Sequence, residues 1–421
     1  MALTHLVAAA VSHLPVWLLL HASSSSSPIN TSVILLQTLC HRVPHNHTPH
    51  LVSSIISTAT VHNEDEPPHY RYRLWYYFHR YATPEHVLHR HDTDLTGVSF
   101  CEVTSADLKS QDVEVIHDWP SRFTRIGTRE KVPSEISYQA EGLAWGASIA
   151  PDVPRHMWTK LQLDSAAGGE AAKIQQESAR FDKSKQKEPV QIIADFLAQV
   201  KIHLMKNLDQ KYGKTLWRSL PIYLVVTVPA VWSDLAKART LQAVDRAGFN
   251  SQGTEFPKLE KTVIATEPEA AAIYTINSMR QSVYDNNLKV GDGFIMCDMG
   301  GGTVDLISYK VAKLEPTRVE EITVGSGNQC GGSFVDRTFL QWLERRLGTP
   351  DFIEIAGCRS EQVPRINLNR KAARILQDVI QEIKCGFDGT QTNSLRLPKP
   401  LKDLEDDEER GIEDGELGIT A

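Results

Sequence analysis

The sequence predicts an α/β fold, and two observations carry that expectation. Strand-like apolar runs alternate with stretches of helical period between residues 189 and 275, and a hairpin with a glycine turn follows at 294–311. GVSFCEV (97–103) and VEVIHDWP (113–120) read as neighbouring strands, with further β structure at Ser134 to Tyr138 and Leu143 to Ile149. Residues 189–212 then place Ile192, Ile193, Phe196, Leu197, Val200, Leu204 and Leu208 at helical spacing, which predicts a helix with one face on a core. A strand at 222–228 ends at Pro229. Ser233 stands where an N-cap belongs, before a helix over Leu235 to Ala247 that Gly248 stops. A strand at 262–266 enters a helix through Pro268, whose missing N–H is harmless in a first turn.

The hairpin FIMCDMGGGTVDLISYKV (294–311) carries the chemistry. Phe294 to Cys297 make one short apolar strand, and Val304, Leu306, Ile307, Tyr309 and Val311 make the second. Between them Gly300, Gly301 and Gly302 let the backbone approach an anion with its N–H groups inward, and Thr303 adds a hydroxyl. Asp298 and Asp305 flank this turn and would repel bare phosphate. They make sense if a hydrated Mg²⁺ lies between them and the phosphates of a nucleoside triphosphate. The plain alternative for this segment alone is a glycine-rich turn with surface acids.

Three more segments, in order with the hairpin, extend the pattern: YLVVTVPAVWSDLAKARTLQAVDRAGF (223–249), IATEPEAAAIYT (264–275) and GSGNQCGGSFVDRTFLQWL (325–343). Together they resemble the nucleotide-binding half of the seventy-kilodalton heat-shock chaperones. KVPSEISY (131–138) and PRHMWTKLQLD (154–164) are similar to a divergent branch of that family, which has the ATPase domain without the usual peptide-binding domain. The resemblance implies an actin-like ATPase (ribonuclease-H-like) fold of two lobes with ATP and Mg²⁺ in the cleft. It also implies roles. Asp298 and Asp305 would organise Mg²⁺ and water, the amides of Gly300 to Thr303 would cup the terminal phosphates, and Glu267 would help align the attacking water. Lys160 would be the lysine that contacts the γ-phosphate, and Gly331 and Gly332 would turn helix N-terminal N–H groups toward phosphate. For each of these charged side chains the alternative is a solvated surface charge.

Two departures from the family pattern shape the functional expectation. Where the family has an Asp-Phe-Gly-Thr-Thr-like loop, the ungapped equivalent here reads Arg90, His91, Asp92, Thr93 and Asp94, which removes close backbone approach and one Mg²⁺-organising acid. The first strand is expected to be lost with it. The chain also reaches Ala421 before a Gly-Gly-Phe-Gly-like adenosine segment, so the end of the second lobe is expected to be missing. The expected division is a low-complexity, disordered leader at 1–92, lobe I at 93–250, a partial lobe II at 251–402 and an acidic tail at 403–421. The resemblance thus implies an ATP-binding, chaperone-type ATPase that hydrolyses ATP to ADP and is impaired in this chain. The alternatives are a non-catalytic degenerate scaffold or binding protein, and an actin-like or sugar-kinase-like phosphotransferase.

Composition agrees with a globular protein: 421 residues, 41% hydrophobic and 23% charged. Six cysteines without a CxxC pair point to a reducing compartment and a cytoplasmic protein. Residues 6–20, LVAAAVSHLPVWLLL, have the outline of a short signal-peptide core, which leaves a secretory alternative open, but are too short to span a bilayer. Ten of the sixteen histidines fall between 41 and 91, and His86, His89 and His91 beside Asp92 have metal-like spacing without a second ligand group on a defined element. The net charge of −7 arises locally, because residues 403–416 hold nine acids and one arginine. The resemblance implies a nucleotide and client or partner proteins as partners, and the charge balance and the lack of a spanning segment give the expectation of no nucleic acid and no membrane.

Overall fold

A computed structural model of the chain describes residues 17–19, 31–39, 95–103, 113–121, 131–140, 142–150, 153–164, 172–173, 176–177, 187–281, 289–299, 304–328, 330, 332–366, 368–384 and 392–419. The first part is built on a seven-stranded sheet. Its strands are β1 (Trp17–Leu19), β2 (Thr31–Leu39), β3 (Leu95–Val103), β4 (Val113–Val115) and β5 (Val132–Pro133), joined later by two more. A separate hairpin follows, β6 (Ile136–Gln139) and β7 (Gly142–Trp145). Next come α1 (Pro189–Tyr212), α2 (Leu216–Ser219), β8 (Ile222–Val228), α3 (Asp234–Arg246) and β9 (Leu259–Thr266). β4, β3 and β2 run antiparallel in turn, whereas β8 lies parallel to β2 and β9 parallel to β8.

The sequence signals explain these elements one by one. IYLVVTV in β8 is a continuous apolar run, as a strand needs when it is covered on both faces, and most of it is buried. Pro189 opens α1, and Gly213, at φ 77°, follows its last residue. The inward face of α1 (Ile192, Phe196, Val200, Leu204 and Leu208) packs into one core with Val98, Phe100, Leu224 and Val226. Ser233 caps α3 by accepting from the Ala236 N–H at 3.2 Å, and Gly248 follows the helix at φ 87°. Trp217 on α2 is 1% exposed, packs against the tilted Phe256 ring at 5.4 Å between centroids and donates its indole N–H to Asp209 Oδ1 at 2.7 Å.

Two strands lie inside the expected leader. β2 fills the place between β3 and β8, so the sheet does have a strand where the loss of the first strand was expected. TSVILLQTL carries the apolar run that such a position calls for, but it is set among serine- and histidine-rich sequence that masked its periodicity. The rest of the leader, including His86, His89, His91 and the Arg90 to Asp94 segment, lies outside the described residues.

The second part begins with α4 (Glu267–Gln281) and a four-stranded sheet of β10 (Gly293–Met299), β11 (Val304–Leu314), β12 (Thr317–Glu321) and β13 (Ser326–Asn328). Ala272 of α4 packs on Ile307 and Tyr309, with Phe294 and Met296 beside them. On the opposite face of the hairpin Ile295 and Leu306 are exposed. Beyond it, α5 (Gly332–Leu347), α6 (Thr349–Ala356), α7 (Arg370–Asp378) and a π turn (Val379–Lys384) enclose another core with β14 (Asn393–Arg396), β15 (Ile412–Glu413) and β16 (Glu416–Ile419).

The expected acidic tail is thus part of a sheet. Ile412 and Leu417 are buried in this core, and Arg410 bonds Asp351 at 2.6 Å, the Leu347 carbonyl at 3.0 Å and Asp407 at 2.6 Å. Charge alone misled here, because Leu417 and Ile419 alternate with Glu416 and Gly418 as in a strand, and Asp414-Gly415 before them is a hairpin turn back to Ile412. Among the described residues no helix is long and apolar enough to cross a membrane.

Glu344 on α5 clips this core together. Its carboxylate accepts from the Ser360 N–H at 2.9 Å, the Ser360 hydroxyl, the Thr349 hydroxyl at 3.0 Å and Arg359 Nε at 3.1 Å. These bonds, the Ser360 hydroxyl foremost, hold its carboxyl down at about 2.

Two outcomes follow for stability. Trp217→Ala should cost about 3–5 kcal/mol in urea denaturation, whereas Trp217→Phe, which loses the Asp209 bond but keeps most packing, should cost about 1–3 kcal/mol. The Glu344 contribution is present above about 4.5 and lost as pH falls through about 2, because the unfolded chain takes up the proton first. Glu344→Gln should therefore be less stable than the parent at pH 7, with the difference vanishing in acid melts near pH 2.

Candidate functional site

Glu267 is the first residue of α4, directly after β9, and is 4% exposed. Its Oε1 accepts from Lys160 Nζ at 2.6 Å. Lys160 lies on the short 3₁₀ turn Thr159–Gln162, far away in sequence, and both α3 and its preceding loop hold that turn in place. Ser233 Oγ donates to Asp164 Oδ1 at 3.0 Å, Arg239 donates to the Leu163 carbonyl at 2.8 Å, and Lys160 Nζ stands 5.8 Å from the centre of the Trp232 ring.

The hairpin adds two more acids. Asp298 of β10 and Asp305 of β11 are directly opposite each other in the ladder. Like charges placed so are destabilising unless something positive lies near. Asp305 is 3% exposed, and on its other side stands Gly327 of β13. A Cβ on Gly327 would fall 2.0 Å from Asp305 Oδ1 and 3.1 Å from Val231 Cγ2, so only glycine allows β13 to lie this close to the acid. Val231 belongs to the Val-Pro-Ala-Val turn after β8, and its neighbour Ala230 packs against the Ala272, Ile307 and Tyr309 cluster. The turn thereby brings the first sheet onto the hairpin.

Electrostatics tie the four side chains into one group. Burial pushes the Glu267 carboxyl up to about 8, Lys160 acts against that, and the charges of Asp298 and Asp305 add to it. The remaining imbalance is negative. Among the described residues no three His, Cys, Asp or Glu side chains converge as direct metal ligands. Two facing carboxylates supply hard oxygen donors, which suit a cation that keeps several of its own waters, as Mg²⁺ does.

The structure therefore brings together Lys160, Glu267, Asp298 and Asp305, each singled out from sequence. Gly332 opens α5, as expected. Gly300, Gly301, Gly302, Thr303 and Gly331 lie outside the described residues. The residues that flank both glycine segments are neighbours: Met299 pairs with Val304, and Val304 pairs with Asn328. Sequence reasoning missed Gly327, although a glycine in the short run SGN is a signal of close approach, and it missed Trp232 and Ser233 as supports of the Lys160 turn.

No protein-family model matches the chain. Over 259 residues it is 28% identical to heat shock 70 kDa protein 12A of Homo sapiens, a stretch covering 50% of this chain and 36% of that protein. The Mus musculus protein of the same name is 27% identical with the same coverage. A chaperone protein HscA homolog of Acinetobacter baumannii is 25% identical over 247 residues, 55% of this chain and 35% of that protein. The chain thus spans about a third of the length of these curated relatives. Over about half of its own length, and with a mixed α/β structure, this chain is a distant homologue of the seventy-kilodalton heat-shock proteins, a kinship that implies the actin-like ATPase fold.

Proposed function

We propose that the chain is an ATP-binding protein of chaperone type, with the phosphates of Mg·ATP seated over the cluster of Lys160, Glu267, Asp298 and Asp305. The observation that carries this reading is their convergence from four separate segments onto one partly buried site. Bound Mg²⁺ would supply positive charge to the phosphate oxygens. Asp298 and Asp305 would hold its water shell, Lys160 would face the γ-phosphate, and Glu267 would orient a water. Gly300 to Thr303, with Gly331 and Gly332, would offer backbone N–H groups to the phosphates. In this reading 93–250 and 251–402 are the two lobes, extended by β1 and β2 on the first and by β15 and β16 on the second, with the cleft between them.

Binding with negligible turnover is the form of this proposal that the residues favour. Arg90, His91, Asp92, Thr93 and Asp94 stand where a glycine- and threonine-bearing loop is expected, and two acids there oppose phosphate. Phosphoryl transfer relies on several parts positioned at once, and losing one can cost on the order of 10³-fold. A scaffold or binding role toward partner proteins accords with the exposed Ile295 and Leu306 on the open face of the hairpin. Among the described residues Cys297, Cys330 and Cys358 are free thiols, which supports placement in a reducing, cytoplasmic compartment.

Calorimetry with Mg·ATP on the purified chain should give weak, Mg²⁺-dependent binding, and Asp298→Asn should abolish it, with phosphate release near background in both. Tight binding with steady release would overturn the impaired reading; equal signals from both proteins would remove Asp298 from the metal's shell.

The Glu267 carboxyl gives a second test. Raised from about 4.5 to about 8, it keeps an extra proton in the folded chain between those values, so its contribution to stability is full below pH 4.5 and lost as pH rises through 8. Glu267→Gln should remove that fall, gaining on the parent by up to about 1.4 kcal/mol per pH unit across the window in denaturation curves. A parent and variant with parallel pH profiles would show that Glu267 is not held in this way.

A further inference from the structure

We propose that Glu177, Arg365 and Ile366 form a clasp that positions Lys160, holding the turn that bears it where the lysine reaches Glu267. The inference deepens the nucleotide-site reading and rests on it for its purpose, but the geometry stands without a ligand.

Glu177 follows the Lys160 turn in sequence, and its carboxylate clamps a loop from the far part of the chain. Oε2 accepts from the backbone N–H of Arg365 at 2.7 Å and of Ile366 at 3.3 Å, while Oε1 accepts from the Arg365 guanidinium at 3.0 Å. Both side chains are largely shielded, at 17% and 16% exposed, so these charge-assisted bonds are only weakly screened. The clamp seats Ile366, fully buried, against Met157 and Trp158, with Leu161 beside them. This cluster is separate from the larger cores on either side and directly brackets Lys160.

Trp158 shows that the seat is imposed on the turn. Its backbone is left-handed at φ 57° and ψ 29°, a conformation that a bulky side chain rarely adopts, and its buried indole N–H has no hydrogen-bond acceptor among the described residues. A residue persists in such a state only where its surroundings over-determine it. On the other side of Lys160 the turn is anchored to the start of α3 by the Ser233–Asp164 and Arg239–Leu163 bonds. Lys160 therefore sits between two anchors, and only the clasp comes from the second part of the chain.

The clasp is itself tied to α5. Arg337 on that helix donates to the Val363 carbonyl at 2.7 Å, in the stretch that leads to Arg365. α5 begins at Gly332, so a displacement of that helix start has a bonded route to Lys160 through Arg337, the 363–366 stretch and Trp158. Opening the clasp lets Trp158 relax to an ordinary backbone conformation and draws Lys160 away from Glu267.

The test needs no nucleotide, so a failed Mg·ATP titration leaves it intact. The full chain and its Arg365→Ala, Ile366→Ser and Ile366→Val variants are pulsed with a limiting amount of acetic anhydride. Acetylation of Lys160 is then measured by mass spectrometry against Lys399, an internal reference 77% exposed. In the parent, Lys160 is 14% exposed and bonded, and should be strongly protected. Arg365→Ala and Ile366→Ser should each raise its relative labelling about tenfold, equivalent to about 1.4 kcal/mol in the opening equilibrium. Ile366→Val should label as the parent does. Lys160 as protected in both disrupting variants as in the parent, with only the melting temperature lowered, would reduce the clasp to a structural contact. Failure of Arg365→Ala to fold would also overturn the proposal, since the contact would then belong to the core of the fold.

Discussion

A carboxyl group buried as deeply as that of Glu267 cannot stand alone, and the arrangement of the surrounding elements follows from that. Taking its charge out of water costs several kcal/mol, and two aspartates nearby raise the cost further. Lys160, donating to Oε1, offsets part of that cost and leaves the carboxyl protonated up to about pH 8, which obliges the turn at 159–162 to lie against the start of α4. That obligation accords with Ser233 serving both as a helix cap and as a donor to Asp164, and with the hairpin lying beside the Val-Pro-Ala turn. The pair is weak evidence for stability in itself, because a well-packed apolar pair could replace it at little cost. It specifies which segments must meet.

Local signals account for what the sequence revealed of this arrangement. Ser233, Gly248 and Pro268 mark helix boundaries through capping, left-handed backbone and first-turn geometry, all decided by neighbouring residues, and the structure places the boundaries there. Asp298 and Asp305 were legible because a glycine turn sets them at fixed spacing on two strands that must pair. Long-range constraints were not legible. β2 reads as part of a biased leader until a parallel neighbour, β8, gives its apolar run a reason. Gly327 matters only because Asp305 and Val231 converge on it, and the Glu177 clamp joins residues whose partnership no periodicity announces.

The two halves also differ in how they are stabilised. The first rests on a broad sheet with α1 and α3 against it, where apolar burial dominates. The core of α5, α6, α7 and the last three strands is smaller and is ringed by polar contacts, Glu344 on Ser360 and Arg359, Arg410 on Asp351 and Asp407, and Lys384 on Asp336 at 2.7 Å, most of them less shielded than the Arg155–Glu135 pair of the first part. Buried carboxylates with several donors are rigid, and removing one partner leaves the other desolvated and unpaired.

Folding the acidic segment into that core has a consequence for the medium in which the protein works. Nine acids and one arginine between 403 and 416 are held at fixed separations beside β15 and β16, so their mutual repulsion cannot be relieved by the chain spreading out. The repulsion acts over distances comparable with the screening length, about 10 Å at 0.1 M salt and about 30 Å at 0.01 M. Arg396, Lys399 and Arg410 offset three of the nine acids, through Glu416, Asp403 and Asp407, and the repulsion among the remaining acids is felt most in dilute buffer.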